Sequence, residues 1–457
     1  MKKVDIQFLG AAGTVTGSKF HITAPDINIM VDCGLFQGVK EIRQQNWNPL
    51  PIAPDQLDVV LLTHGHLDHT GYLPLLVKEG FQGQILGTAP SLHIAEVIMN
   101  DSGKIQEELA EQANREKFSK HDPALPLYTV KDAQKVPRLF KSVLKDFWIP
   151  LSDEVRCRFR YNGHIIGSTF IELDISGKIF VFSGDVGRPD DLLLYPSERP
   201  EWADYLFMES TYGDRTHPEE DVDERLALLI SDTIKNKGML VIPTFAVERL
   251  QSVMYRLWLL YDKNRIPNIP IFVDSPMGNN VLDVFEAYPQ WHKLKTKTYR
   301  AMCNRMNIIE NYSETWKTID DPRPKIVIAG SGMVTGGRVL TYLSQVIKKE
   351  STTLLLVGFQ AEGTRGRKLL EGAPYIKIFG KEHPVNAKIE HFESLSAHAD
   401  QQELIQWVSN IKNRPEQVYL IHGEPAASLQ FKNELEKKFK WRCHIPELYE
   451  KISLLLN

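Results

Sequence analysis

The sequence predicts an α/β protein in which a second α/β domain, built on a parallel sheet, is inserted into the first. Three observations predict it. Short β-branched apolar runs in the first half end repeatedly in glycine and a His, Asp or Glu. From residue 238 onward, strand-like runs alternate with helical ones, the pattern of a parallel sheet covered on both faces. After residue 389 the texture of the first half returns. The bounds read from these changes are 1–213 for the first part, 214–388 for the insert and 389–457 for the returning part.

Bulk properties agree with two cores. A chain of 457 residues is too long for one ordinary core. Hydrophobic content of 42% and charged content of 25% are those of a globular protein. A net charge of −4 excludes a global basic signal, so nucleic-acid binding would need a local patch. Cys33, Cys157, Cys303 and Cys443 are scattered without a paired spacing, as expected in a reducing compartment. No apolar stretch is long enough to span a bilayer, so no membrane partner is expected and the expected location is the cytoplasm. The N-terminal apolar run is short and carries Asp5, and reads as a first strand rather than a signal peptide. The sequence is compatible with a homodimer.

Along the chain, 4–9 reads as a strand and 10–18 as a loop of small residues that can pass close to a site. The strand at 27–31 ends in Asp32, either a turn former or a group that orients an imidazole. The apolar run 57–63 reads as a buried strand and 70–78 as a helix. Between them stand His64, Gly65, His66, Leu67, Asp68 and His69. With only 14 His in 457 residues, three in six positions at a strand's carboxyl end point to a metal site rather than a chance cluster. Residues 91–147 read as helical and charged, a solvated face over the sheet. The strands at 155–161, 179–183 and 205–208 lead to His164, Asp185 and Glu209. In the insert, strands at 238–244, 269–274, 325–329 and 352–359 alternate with helices. The segment 389–395 leads to His398, and 417–421 leads to His422.

The His-x-His-x-Asp-His run resembles the signature of the metallo-β-lactamase superfamily. The motifs in order match Asp32, then His64, His66, Asp68 and His69, then His164, then Asp185. The later part is similar to the superfamily's β-CASP branch, whose three further motifs match Glu209, His398 within Ser396-Ala397-His398-Ala399-Asp400, and His422. The resemblance covers nearly the whole chain. It implies an αββα sandwich with metals at one edge and an inserted β-CASP domain. That branch cuts nucleic acids. A histidine at the third position is typical of its RNA-acting members, where DNA-repair members have valine. Without the extra domains of larger relatives, the chain looks most like the compact bacterial ribonucleases of the branch.

The resemblance implies two zinc ions per chain. His64, His66, His164 and Asp185 would hold the first, and Asp68, His69, Asp185 and His422 the second, with Asp185 bridging. The nitrogen and carboxylate donors suit zinc, with manganese as the other candidate. Two such ions can activate water at neutral pH and clamp a phosphodiester. The resemblance further implies His398 as the acid for the leaving oxygen, held by Glu209, with Asp68 counted among both ligands and catalytic groups and Asp32 behind the ligands. In the insert, the turn with Ser331, Gly332 and Met333 is a candidate phosphate contact, and Arg365 and Arg367 candidate RNA contacts. The expected partner is single-stranded RNA and the expected activity endonucleolytic. The alternatives are a 5′ exoribonuclease, a small-ester metallohydrolase and an inactive RNA-binding subunit.

Overall fold

The structure, a computed structural model, describes residues 2–117 and 121–456. The chain forms two compact units: one runs up to Thr216 and resumes at His398, and the other is His217–Ala397.

The first unit holds two seven-stranded sheets. In one sheet Lys451–Leu456, Lys2–Phe8, Phe20–Thr23 and Asn28–Val31 are antiparallel neighbours, and Val59–Leu61, Gln84–Thr88 and Phe140–Val143 continue it in parallel. In the other, Ile149–Pro150, Val155–Tyr161, Thr169–Ile175 and Lys178–Phe182 are antiparallel, followed in parallel by Tyr205–Glu209, Gln417–Ile421 and Cys443–His444. Alternation along each strand explains the layering. Ile29, Val31, Val59 and Leu61 face Phe180, Phe182, Phe207 and Tyr419 in the core between the sheets. Their neighbours Met30, Val60 and Leu62 pack outward on Leu73, Leu76, Leu92 and Met99 of the helices Leu73–Lys78 and Ala89–Glu116. On the opposite side Val181, Leu206, Met208 and Leu420 pack on Leu404, Trp407, Phe431 and Leu435 of Gln401–Val408 and Pro425–Phe439. The result is an αββα sandwich. Both faces of the central strands are covered, which is why they read as continuous apolar runs.

Phe182 stacks on Phe207 at 4.2 Å between ring centres, and Phe207 on Tyr419 at 4.9 Å. Such aromatic pairs contribute about 0.5–1.5 kcal/mol each beyond burial. They lock three neighbouring strands whose carboxyl ends lead to Asp185, Glu209 and His422.

The second unit is a six-stranded parallel sheet in which Asn307–Ile308, Ile271–Asp274, Lys325–Gly330, Met239–Thr244, Thr353–Val357 and Lys388–Phe392 lie side by side. Val241, Val327 and Leu354 pack against Val339, Leu340 and Leu343 of the helix Gly337–Val346.

Two elements differ from the sequence expectation. The strand expected to begin the return to the first unit lies in the second, where Lys388–Phe392 pairs with Thr353–Val357; the first unit resumes only at His398. The helical reading of 91–147 holds to Glu116 and then gives way to the short turn Val130–Ala133 and the strand Phe140–Val143. Lys117, in a left-handed conformation, terminates the helix. Pro123, Pro126 and Pro137 follow, each lacking the N–H that a helix interior uses. Residues 118–120 lie outside the described residues.

Candidate metal centre

Each titratable group of the motifs lies in the first unit, at or just beyond the carboxyl end of a strand, where side chains from both sheets converge. The run Thr63–His69 follows Val59–Leu61, and Leu67–Thr70 forms a single helical turn. Its backbone is held from outside: Ser18 N–H donates to Asp68 O at 2.7 Å and Cys33 N–H to His69 O at 2.7 Å. His422 follows Gln417–Ile421 in a left-handed conformation, φ 47°, and its N–H donates to Ala11 O at 2.7 Å. Thus the small-residue loop does pass beside the candidate ligand His422. Gly184 precedes Asp185 with φ 52°, and a Cβ there would stand 2.8 Å from Thr63 Cβ; only glycine meets both constraints.

His64 Nε2 and His164 Nε2 each lie 3.2 Å from His66 Nδ1 and 3.5 Å from Asp185 Oδ2. On the other side of Asp185, His69 Nε2 is 3.3 Å from Oδ1 and 3.4 Å from His422 Nε2, which is 3.5 Å from Asp68 Oδ2. Three groups place their ligand atoms close enough to hold an ion: His64, His66, His164 and Asp185; beside them Asp68, His69 and His422; and, sharing Asp185, the trio Asp185, Glu209 and His398. Asp185 presents one carboxylate oxygen to each of the first two.

Three observations test whether these residues fit a metal. Ligand atoms about 2.0–2.1 Å from a tetrahedral zinc sit roughly 3.3 Å apart, which the spacing of the first group matches. Burial pushes His64 and His164 well below the ordinary imidazole range and His66 down to about 4, so these rings are neutral, the form that binds metal. Their nitrogens then converge without enough protons to satisfy one another. Asp185 Oδ1 is buried and makes no hydrogen bond, as a carboxylate oxygen awaiting an ion would. Burial opposes the ionised form of Asp185, but the charge on His69 outweighs it and holds the carboxyl well below the usual range. The residues fit.

Behind the ligands, Asp32 is 1% exposed and accepts from Thr63 N–H at 2.8 Å, Thr63 Oγ1–H at 2.8 Å and His69 Nδ1 at 2.7 Å. His398 is joined by an isolated bridge to Gly187, and its Nδ1 lies 3.2 Å from Oε2 of fully buried Glu209. Burial lowers its pKa, but the Glu209 carboxylate outweighs that and raises it to about 9. His398 thus stands beside the candidate ligands as a cation held by a carboxylate.

The candidate RNA contacts lie in the second unit. Ser331, Gly332 and Met333 occupy the turn between Lys325–Gly330 and Gly337–Val346. Arg365 donates from Nε to Lys377 O at 2.7 Å and from Nη1 to Thr335 O at 3.1 Å, and Arg367 Nε donates to Glu371 Oε1 at 2.7 Å. Both guanidinium groups brace their own unit.

Asn162, Thr63 and Thr211 also serve the site, without any motif in the sequence to mark them. Asn162 is fully buried and its Nδ2 donates to Ser183 O at 2.7 Å and Asp185 O at 2.5 Å, fastening the His164 loop to the Asp185 loop. Thr211 Oγ1 lies 2.6 Å from Glu209 Oε2 and 3.1 Å from His422 Nδ1. The only signal was position, directly before His64 for Thr63 and two residues after Glu209 for Thr211, and Asn and Thr at strand ends read as ordinary turn residues.

Comparison with known proteins places three domains along the chain. The metallo-beta-lactamase superfamily profile matches residues 20–232, the Beta-Casp domain 250–369, and the Zn-dependent metallo-hydrolase RNA specificity domain 382–446. The chain is 33% identical over 425 residues to ribonuclease TTHA0252 of Thermus thermophilus, covering 91% of this chain and 92% of that one. It is 28% identical over 462 residues to transcription termination factor FttA of Methanocaldococcus jannaschii, covering 97% of this chain and 70% of that one. Among solved structures, a protein of unknown function from Enterococcus faecalis V583 shares the fold, with a TM-score of 0.55 at 12% identity over 99% of this chain and 100% of that one.

Proposed function

This chain belongs to the metallo-β-lactamase superfamily, carries a Beta-Casp domain and is a metal-dependent hydrolase; from that premise we propose that it is a ribonuclease that cleaves single-stranded RNA internally with two zinc ions. The observation that carries the reading is the His398–Glu209 pair beside the metal-capable cluster. Cleaving a phosphodiester requires charge stabilisation at phosphorus and a proton for the departing oxygen. The pair supports the second need, and the cluster the first. The match to an RNA specificity domain and the likeness to a protein named as a ribonuclease support RNA as the substrate.

In this reading His64, His66, His164 and Asp185 hold one ion, and Asp68, His69, Asp185 and His422 the other, with manganese the alternative to zinc. When bound, such ions supply Lewis-acid stabilisation of charge on the phosphoryl oxygens and a nucleophile at neutral pH. Asp185 supplies both positions with one carboxylate. Asp32 orients His69 by accepting from its Nδ1–H, which turns Nε2 toward the ligands. Glu209 keeps His398 protonated, and with Nδ1–H held by the carboxylate the proton that moves is the one on Nε2. As the P–O bond to the leaving nucleoside breaks, His398 Nε2 gives that oxygen its proton.

The test is incubation of the protein with end-labelled RNA and single-stranded DNA, with and without chelator. Internal RNA fragments that vanish with chelator are expected. Mononucleotides released from the 5′ end would replace the endonuclease by a 5′ exonuclease, and intact RNA would overturn the ribonuclease reading.

A further inference from the structure

The buried threonine Thr211 stands between two groups that the reaction uses separately. Its single hydroxyl proton has three neighbours: Glu209 Oε2 at 2.6 Å, His422 O at 3.0 Å and His422 Nδ1 at 3.1 Å. Carboxylate and carbonyl oxygens only accept, and a hydrogen bond to a carboxylate is the stronger. The hydroxyl proton therefore goes to Glu209, and the contact with the ring is attractive only if His422 Nδ1 carries a hydrogen and Thr211 Oγ1 accepts it. That tautomer leaves the lone pair on Nε2, the atom that lies 3.4 Å from His69 Nε2 and 3.5 Å from Asp68 Oδ2.

We propose that Thr211 is a positioning residue that fixes the tautomer of His422 and couples it to Glu209, so that one carboxylate sets both the proton donor and a metal ligand. Glu209 is the hub: Oε1 accepts from Val186 N–H, and Oε2 accepts from Thr211 and from His398 Nδ1. The first sheet carries the same arrangement. Asp32 accepts from Thr63 N–H, from Thr63 Oγ1–H and directly from His69 Nδ1, while Thr63 Oγ1 lies 3.1 Å from His64 Nδ1. In each half a buried carboxylate holds one histidine directly and a second through a threonine hydroxyl. The recurrence at two strand ends with no sequence in common argues that the hydroxyl has a proton-directing role and is not filler.

The inference rests on the reading of Asp68, His69 and His422 as metal ligands, and the experiment separates the two. Nitrogen NMR of 15N-histidine-labelled, metal-free protein should show His422 protonated at Nδ1. Thr211→Val, nearly isosteric, should release the ring to the other tautomer while His64 keeps its own, and Thr211→Ser should restore the original signal. In a zinc titration against a competing chelator, Thr211→Val should weaken one of the two equivalents about 10–100-fold, the usual effect of losing a partner behind a ligand, and leave the other unchanged. Thr211→Ser should bind as the parent does. A neutral His422 ring protonated at Nε2 and bare at Nδ1 in the metal-free parent overturns the inference without any variant. A serine variant as weak as the valine one overturns it too, because a hydroxyl that cannot rescue was filling space. A parent that binds no second zinc defeats the metal reading instead, and the nitrogen signals still decide the role of Thr211.

Discussion

Replacing His398 by alanine tests the proposed proton donor against a ligand role, since with Asp185 and Glu209 it forms a third set close enough to hold an ion. Zinc content should stay at the parent value while RNA cleavage falls by about 10²–10⁴-fold, the usual contribution of a positioned acid. Metal analysis of the purified variant separates the outcomes, because a loss of zinc would make His398 a ligand. The pH profile carries the sign. The folded pKa of His398 is raised, to about 9 before metal binds, so the competent protonated form is full below that value and is lost as pH rises through it. Bound cations lower it from there. Glu209→Gln removes the charge that raises it, so the alkaline limb of kcat/KM should move to lower pH; an unmoved limb would assign that limb to another group. Asp185→Ala should reduce occupancy at both metal positions, because each group of donors borders one of its oxygens. Full retention of either ion would mean that the carboxylate does not bridge.

Among the elements, the terminal strand Lys451–Leu456 illustrates what a short sequence window hides. It pairs with Lys2–Phe8 across almost the whole chain, and nothing local announces that partner. The central strands were legible because burial on both faces leaves a continuous apolar run. Edge strands such as Phe140–Val143, with exposed Lys141 and Ser142, carry no such signal and were absorbed into a helical reading. The outer pairing is reinforced by Asp5, which accepts from Ser453 Oγ at 2.6 Å and from Lys3 and Lys451. These contacts lower its pKa to about 2, below the ordinary carboxyl value. The folded form is the stronger acid, so this contribution to stability is complete above about pH 4 and is lost as pH falls toward 2. Asp5→Asn should therefore narrow the stability gap between the variant and the parent as pH is lowered over that window, read by urea midpoints. A constant gap would mean that the side chain acts by shape alone.

For the whole molecule, the site was more legible than the fold around it. A ligand run compressed into His64–His69 is visible without knowing any tertiary contact, and the isolated histidines and acids were found because each follows a strand. The hydroxyl and amide groups behind them were not, since Thr63, Thr211 and Asn162 acquire their roles only when two distant loops meet. Arg365 and Arg367, expected as RNA contacts, hydrogen-bond within the second unit to Lys377 O and Glu371 Oε1. That unit is continuous in sequence, whereas the first is interrupted by it, and all groups able to bind a metal among the described residues lie in the first. The interruption has a kinetic consequence. Strand Tyr205–Glu209 finds its partner Gln417–Ile421 only across the insert, while Met239–Thr244 and Lys325–Gly330 pair over a much shorter stretch. Contacts distant in sequence form more slowly because loop closure precedes them. Folding the insert first shortens that loop by drawing its ends into a compact body. Pulse-labelled hydrogen exchange during refolding should therefore protect amides of 239–244 and 325–330 before those of 205–209 and 417–421, and the second zinc should bind only with the later group, since His422 follows the insert. Simultaneous protection of all four strands would show that the two units fold as one, and binding of both zinc ions before pairing of 417–421 would show that His422 is not needed to capture the second.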